Sequence, residues 1–201
     1  MNVVLGRAPV TPLSDRFIAE VQTEFPRFRI VQKRDSALSR VIDIVLRILT
    51  LGAQRSFMTH YHTVLWDTLY VPDRWASTPD VARLITLHHE RVHLRQRRRY
   101  GDALMTFLYL VPFFPLGLAY GRAKIEWEAY AETIRVTARY RGHDAARDPA
   151  LRSHIVAQFT SGSYGWMWPF RKQVERWYDA VLAQLGDDAK ARATTGPAPE
   201  A

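Results

Sequence analysis

The stretch STPDVARLITLHHERVHLRQRRRYG, residues 77 to 101, decides how the rest of the chain is read. Thr78 can cap a helix, Pro79 fits the first turn, Asp80 suits the positive end of the helix dipole, and Gly101 can close the C-terminus. The spacing predicts a helix over 79–99, with Leu84, Ile85, Leu87, Val92 and Leu94 available for packing. On such a helix residues four apart share a face, so the imidazoles of His89 and His93 project side by side and can converge on one ion. Glu90 lies about 100° further round and cannot be an equal third ligand, although it can reach a water on that ion. Two neutral imidazoles leave a Zn²⁺ ion charged enough to acidify a bound water, and a carboxylate at the position of Glu90 can accept its proton.

A site of this kind needs a third protein ligand, and EWEAYAE, residues 126 to 132, offers Glu126, Glu128 and Glu132. Glu128 and Glu132 are four apart and share a helical face, whereas Glu126 lies about 200° from Glu128. The expectation is that Glu128 binds the metal and that Glu132 accepts a hydrogen bond from the free ring nitrogen of a ligating histidine. Glu126 is the alternative ligand. The plain structural reading of the same residues is a solvated acidic stripe paired with Lys124 and Arg135.

An HExxH helix followed some tens of residues later by a glutamate-bearing helix resembles the gluzincin metallopeptidases. The short chain is similar to their minimal members, the minigluzincins, and HERVHLRQ with ExEAY also looks like uncharacterised bacterial proteins of that kind. The resemblance covers roughly residues 56–142. It implies a zinc cofactor on His89, His93 and Glu128, with Glu90 as general base in peptide-bond hydrolysis. It also implies an edge strand around Thr63 to Val71 that pairs with the substrate backbone. Some relatives carry the ligand in an E-aromatic-x-A-D frame, which selects Glu126 and puts Tyr130 where an aspartate is expected. An oxyanion donor is also needed; Tyr130, His154 and Tyr164 are the candidates. For His154, as for His60 and His62, a structural role is the plainer reading. His88 is expected to be a packing or surface residue.

Around these helices the chain reads as one α+β domain over 1–186. The class is zincin-like by resemblance: a small N-terminal antiparallel sheet on the HExxH helix, then a mainly helical part. FRIVQKR (28–34) alternates as a strand, SRVIDIVLRILTLG (39–52) has helical spacing, and SFMTHYHTVLWDTLYVP (56–72) reads as a long strand or hairpin. Further helices are expected over 122–142, near 149–160 and over 170–186, and residues 187–201 read as a disordered tail. The apolar run 103–121 joins the two glutamate- and histidine-bearing helices; Pro112 and Pro115 interrupt it, so it reads as buried or interfacial instead of spanning.

Composition narrows the chemistry. With no cysteine, disulfides, thiolate metal sites and thiol nucleophiles are excluded, and any metal is held by nitrogen and oxygen. The N-terminus lacks the pattern of a secretory signal, so a cytoplasmic location is expected. The net charge of +8 suits an anionic partner, but the basic residues are scattered and have no interleaved aromatics of the kind that stack bases. Nucleic acid is therefore not the expected partner, and the resemblance to gluzincins implies a peptide or protein substrate instead. Arg95, Arg97, Arg98 and Arg99 read first as a solvated helix end favoured by the dipole. Because they precede the apolar run, peripheral contact with an anionic membrane stays open. Two other readings remain beside hydrolysis: a noncatalytic zincin-like binding or sensor domain, and a basic nucleic-acid- or membrane-binding protein in which HExxH is accidental.

Overall fold

The computed structural model describes residues 11–37, 40, 62–110, 119–161 and 167–194. The expected helix at 39–52 and the first part of the 56–72 segment, His60 included, lie outside the described residues.

Helix α1 (Leu13–Glu24) leads into strand β1 (Arg29–Gln32), which is followed by a 3-10 turn at Lys33–Asp35. A hairpin of β2 (Thr63–Leu65) and β3 (Thr68–Val71) comes next, then the helix of the opening motif, α2 (Asp80–Tyr100). The remainder is helical: α3 (Asp102–Leu110), α4 (Tyr120–Arg141), α5 (His143–Arg147), α6 (Pro149–Thr160) and α7 (Arg171–Thr194). The α+β class holds, but the sheet is mixed instead of antiparallel. Its order is β1-β3-β2, with β1 parallel to β3 and β2 antiparallel to it. Alternation along FRIV identifies a strand without giving its direction, and the direction follows from the crossover between β1 and the hairpin. β3 is buried along its whole length in the centre, and β2 lies at an edge of the three-stranded sheet.

The two strong helices end where glycine permits it. Gly101 and Gly142 have φ of 79° and 93°, and each donates its amide to a carbonyl in the last turn of its helix. The N-terminus of α2 differs from the expectation. Thr78 does not cap it; its hydroxyl turns back to the carbonyl of Arg74. Asp80 caps a different helix: its carboxylate accepts from the amides of Leu13 and Ser14 and from the Ser14 hydroxyl, and so ties the start of α1 to the start of α2. The far ends are tied by Glu24, which accepts from Arg91 Nε at 2.7 Å and from Arg95 Nε at 2.7 Å. Arg97 reaches Asp67 in the hairpin turn and Asp102 at the start of α3, and Arg98 lies over the Phe25 ring. The arginine cluster is thus a set of clamps rather than a freely solvated helix end.

Two apolar cores result. One gathers Phe17, Val21, Phe28, Leu69, Val71 and Trp75 against Leu84, Leu87 and Leu94 of α2. The other gathers Ala123, Ile134, Ile155, Phe159, Val174 and Tyr178 from α4, α6 and α7. The seam between them is the α2–α4 interface, where polar side chains are enclosed. Helix α6 starts as expected, with Asp148 accepting from the Ala150 amide and Pro149 in the first turn. Helix α7 continues past Gly186 to Thr194, so residues 187–194 are helical and not part of a disordered tail; 195–201 lie outside the described residues.

Bonding to two guanidinium groups holds the Glu24 carboxyl below the usual carboxylate range, with Arg95 the larger influence. A depressed folded-state pKa gives stability that is present above the unfolded value of about 4.5 and is lost as pH falls through the folded one. Glu24→Gln is expected to cost about 1 kcal/mol at neutral pH, the scale of a well-formed, partly exposed ion pair. Urea denaturation should show the gap from wild type closing as pH falls below the unfolded value of about 4.5 and the wild-type carboxylate protonates.

Candidate metal centre

Helix α4 meets α2 with a stripe of residues spaced three and four apart: Glu126, Ala129, Tyr130 and Thr133. Ala129 is fully buried, which lets the two helices approach closely enough for Glu126 to reach the motif histidines. His89 Nε2 and His93 Nε2 are 3.2 Å apart, and Glu126 Oε2 is 3.6 Å from the first and 3.7 Å from the second. Among the described residues this is the one group of three or more histidine and acidic side chains whose ligand atoms come together as a metal site requires.

The remaining ring nitrogens fix the tautomers. The Thr133 hydroxyl donates to the carbonyl of Ala129, so at 3.1 Å it accepts from His89 Nδ1–H. His93 Nδ1–H donates to Gln96 Oε1 at 2.9 Å, because an amide oxygen can only accept. Gln96 is itself held by donating to the Ile125 carbonyl and to Glu128 Oε2. Each Nε2 consequently presents a lone pair toward the other and toward the Glu126 carboxylate. Such a cluster of electron-rich atoms repels itself unless a cation stands among them, and three converging donors suit a metal ion better than a shared proton. Donors about 2.0–2.1 Å from a tetrahedral zinc lie about 3.3 Å from one another, close to the separations present. The residues therefore fit a zinc ion through two nitrogens and one oxygen.

The acidic residues of α4 are distributed differently from the expectation. Glu126, not Glu128, is brought to the two histidines. Glu128 is exposed, lies outside the cluster and steadies Gln96. Glu132 does not touch either motif histidine; it faces His88 Nδ1 at 3.3 Å, and that contact, outweighing the opposite effect of burial, sets its pKa below the ordinary value. His88 also stacks on Phe17 with ring centroids 3.9 Å apart, so the His88–Glu132 pair joins α1, α2 and α4 beside the site. The orienting role expected of Glu132 falls to Thr133 and Gln96. Of the candidate oxyanion donors, Tyr130 packs edge-on against His89 with centroids at 4.8 Å. His154 is exposed on α6 and, among the described residues, pairs with Gln158, and Tyr164 lies outside the described residues.

Two further groups belong to this neighbourhood. Glu90 is buried, and burial, followed by the negative charge of Glu126, pushes its carboxyl up to about 7 against the opposing influence of His93 and Lys33. Lys33, only 1 % exposed, follows β1 and places a positive charge that acts on both Glu90 and His62. His62, just before β2, packs against Trp75; burial first, then the charge of Lys33, lowers its pKa to about 4, so it is neutral at pH 7. A lysine after a strand carries no sequence signal of burial, since lysine side chains are mostly exposed.

Compared with protein-family models, with curated proteins and with solved structures, the chain has no significant match in any of the three. Its function is therefore argued from the site itself.

If this face is the metal face, Glu126→Ala should abolish stoichiometric zinc binding, whereas Glu128→Ala should leave it nearly intact. Gln96→Leu and Thr133→Val should lower zinc affinity by about 10- to 100-fold, the usual effect of removing a partner that orients a ligating histidine. Calorimetric zinc titration of the four variants distinguishes these outcomes, and zinc retained by Glu126→Ala but lost by Glu128→Ala would restore the other register.

Proposed function

We propose that the chain is a zinc-dependent peptide hydrolase of zincin-like fold, and the observation that carries this is the convergence of His89 Nε2, His93 Nε2 and Glu126 Oε2 beside the buried Glu90 carboxyl. His89, His93 and Glu126 would hold the ion, leaving one position open. Bound there, zinc supplies Lewis acidity, lowering the pKa of water and polarising a carbonyl.

The chain's own groups account for the rest. Glu90 is one residue from a ligating histidine and is not itself in the ligand cluster, so its carboxylate is free to take the proton of an attacking water and return it to the departing amine. Burial raises its proton affinity toward neutrality, where a general base is most effective, and the Lys33 ammonium opposes full protonation. The two second-nitrogen contacts, to Thr133 and Gln96, keep both imidazoles in the tautomer that leaves Nε2 unprotonated. β2 has, among the described residues, no strand on its outer side and packs against α2. An extended peptide can add to that edge by backbone hydrogen bonds, which would carry its scissile bond past the metal helix. Tyr130, in contact with His89, is the described residue best placed to donate to a developing oxyanion.

The HERVH helix with its following glutamate helix resembles the gluzincins, in keeping with this assignment; the resemblance now falls on the frame EWEAY, with Glu126 as ligand and Tyr130 replacing the expected aspartate. Glu90→Gln separates catalysis from metal binding. The near-isosteric amide should retain zinc and fold, yet lower the hydrolysis of an unstructured peptide library by at least 10²- to 10⁴-fold, as for loss of a positioned acid–base group. Wild-type cleavage should stop on chelation and return with added zinc. Zinc bound tightly by a wild type that cleaves no peptide would instead favour the noncatalytic binding domain.

A further inference from the structure

Independently of the chemistry at the metal centre, a second feature of the surface asks for a partner. Of the large apolar side chains exposed among the described residues, four lie along one connected path. Leu104 and Phe107, 45 % and 57 % exposed, stand three apart on α3 and so share a face. The next residue, Leu108, seats that helix on the start of α4: a methyl group added at Gly121 would come within 2.6 Å of its Cδ2. Tyr120, 49 % exposed, opens α4 beside this contact, its ring centroid 5.2 Å from that of Trp168, which is in turn 5.2 Å from Phe170, 51 % exposed. The rim is basic. Lys124 is exposed one turn beyond Tyr120, and Arg171 and Lys172 are exposed directly after Phe170, with Arg171 reaching Glu175.

We propose that this aromatic belt is a docking surface for an anionic lipid bilayer, with the α3 face and Phe170 entering the headgroup–acyl boundary. Apolar and aromatic side chains ringed by cations are the pattern of interfacial attachment: rings such as Tyr120 and Trp168 favour the headgroup level, and nearby lysines and arginines are drawn to acidic headgroups. The chain's net charge of +8 adds a long-range attraction to such a surface. A second copy of the chain is the poorer occupant, because a symmetric contact would bring two rims carrying exposed Lys124, Arg171 and Lys172 together. The attachment is peripheral; among the described residues no helix is long and apolar enough to cross a membrane.

Co-sedimentation of the full chain with vesicles tests this, using phosphatidylcholine alone and an equimolar mixture with phosphatidylglycerol. Binding is expected on the mixed vesicles, weaker on the neutral ones, and declining as salt is raised. Phe107→Glu and Phe170→Glu should each reduce the partition coefficient by about tenfold or more, the scale set by withdrawing one large apolar side chain from a nonpolar phase. Lys172→Glu should weaken binding on the mixed vesicles alone. Both phenylalanines are exposed, and unchanged circular dichroism and thermal unfolding midpoint establish that each variant is folded; Phe107→Ser is the milder substitute should Phe107→Glu fail that check. The proposal is overturned by absence of binding to the mixed vesicles, or by binding that survives the double phenylalanine variant. It is also overturned by a concentration-dependent dimer, lost in the same variants, that forms without any vesicle affinity.

Discussion

Two imidazole lone pairs facing one another at 3.2 Å, with a carboxylate oxygen closing the triangle, form the constraint around which the molecule is organised. Left uncompensated, such a cluster opposes the packing of α2 on α4, and its cost rises as water is excluded. The surroundings nonetheless enforce it. Ala129 allows close approach of the helices, Thr133 and Gln96 hold the outer ring nitrogens, and Glu128 and the Ile125 carbonyl hold Gln96. A bound cation would account for a scaffold that aims three donors at one point, and its binding would stabilise the α2–α4 seam as well as equip it for chemistry.

The helices themselves were legible because their ends are written in local chemistry. Gly101 and Gly142 supply positive φ, Asp148 with Pro149 starts α6, and four-residue spacing alone puts His89 and His93 together. The rotation of α4 was not legible in the same way. EWEAYAE contains two overlapping E-x-x-A frames two residues apart, and a shift of two residues turns a helix by about 200°, exchanging the buried face for the exposed one. Pairing Glu128 with Glu132 treats acids on one face as evidence of a site, yet the stripe that faces His89 and His93 combines one acid with alanine, tyrosine and threonine. Glu132 finds its partner in His88, a residue whose role depends on Phe17 from a distant helix. Lys33 was invisible for a related reason: its burial, and its effect on Glu90, depend on tertiary neighbours that the strand alternation does not announce.

The position of Glu90 connects the two halves of the account. It shares its helix with His89 and His93, so its placement relative to them is set by helix geometry, while its proton affinity is set by burial and by neighbours that include Glu126 and Lys33 on other elements. Burial and Glu126 raise that affinity, and His93 and Lys33 lower it. A bound divalent ion would add a further positive charge, favouring the carboxylate that the proposed reaction requires. The edge strand β2 packs against the same helix α2, so an extended chain added to that edge would run beside the helix that carries Glu90.

The most direct measurement is X-ray absorption at the zinc edge of protein loaded with one equivalent of metal. The account predicts a four-coordinate ion with two imidazole nitrogens and light oxygen donors at about 2.0–2.1 Å, and loss of this signal in Glu126→Ala but not in Glu128→Ala. A spectrum with no imidazole scattering, or one unchanged by Glu126→Ala, would contradict it.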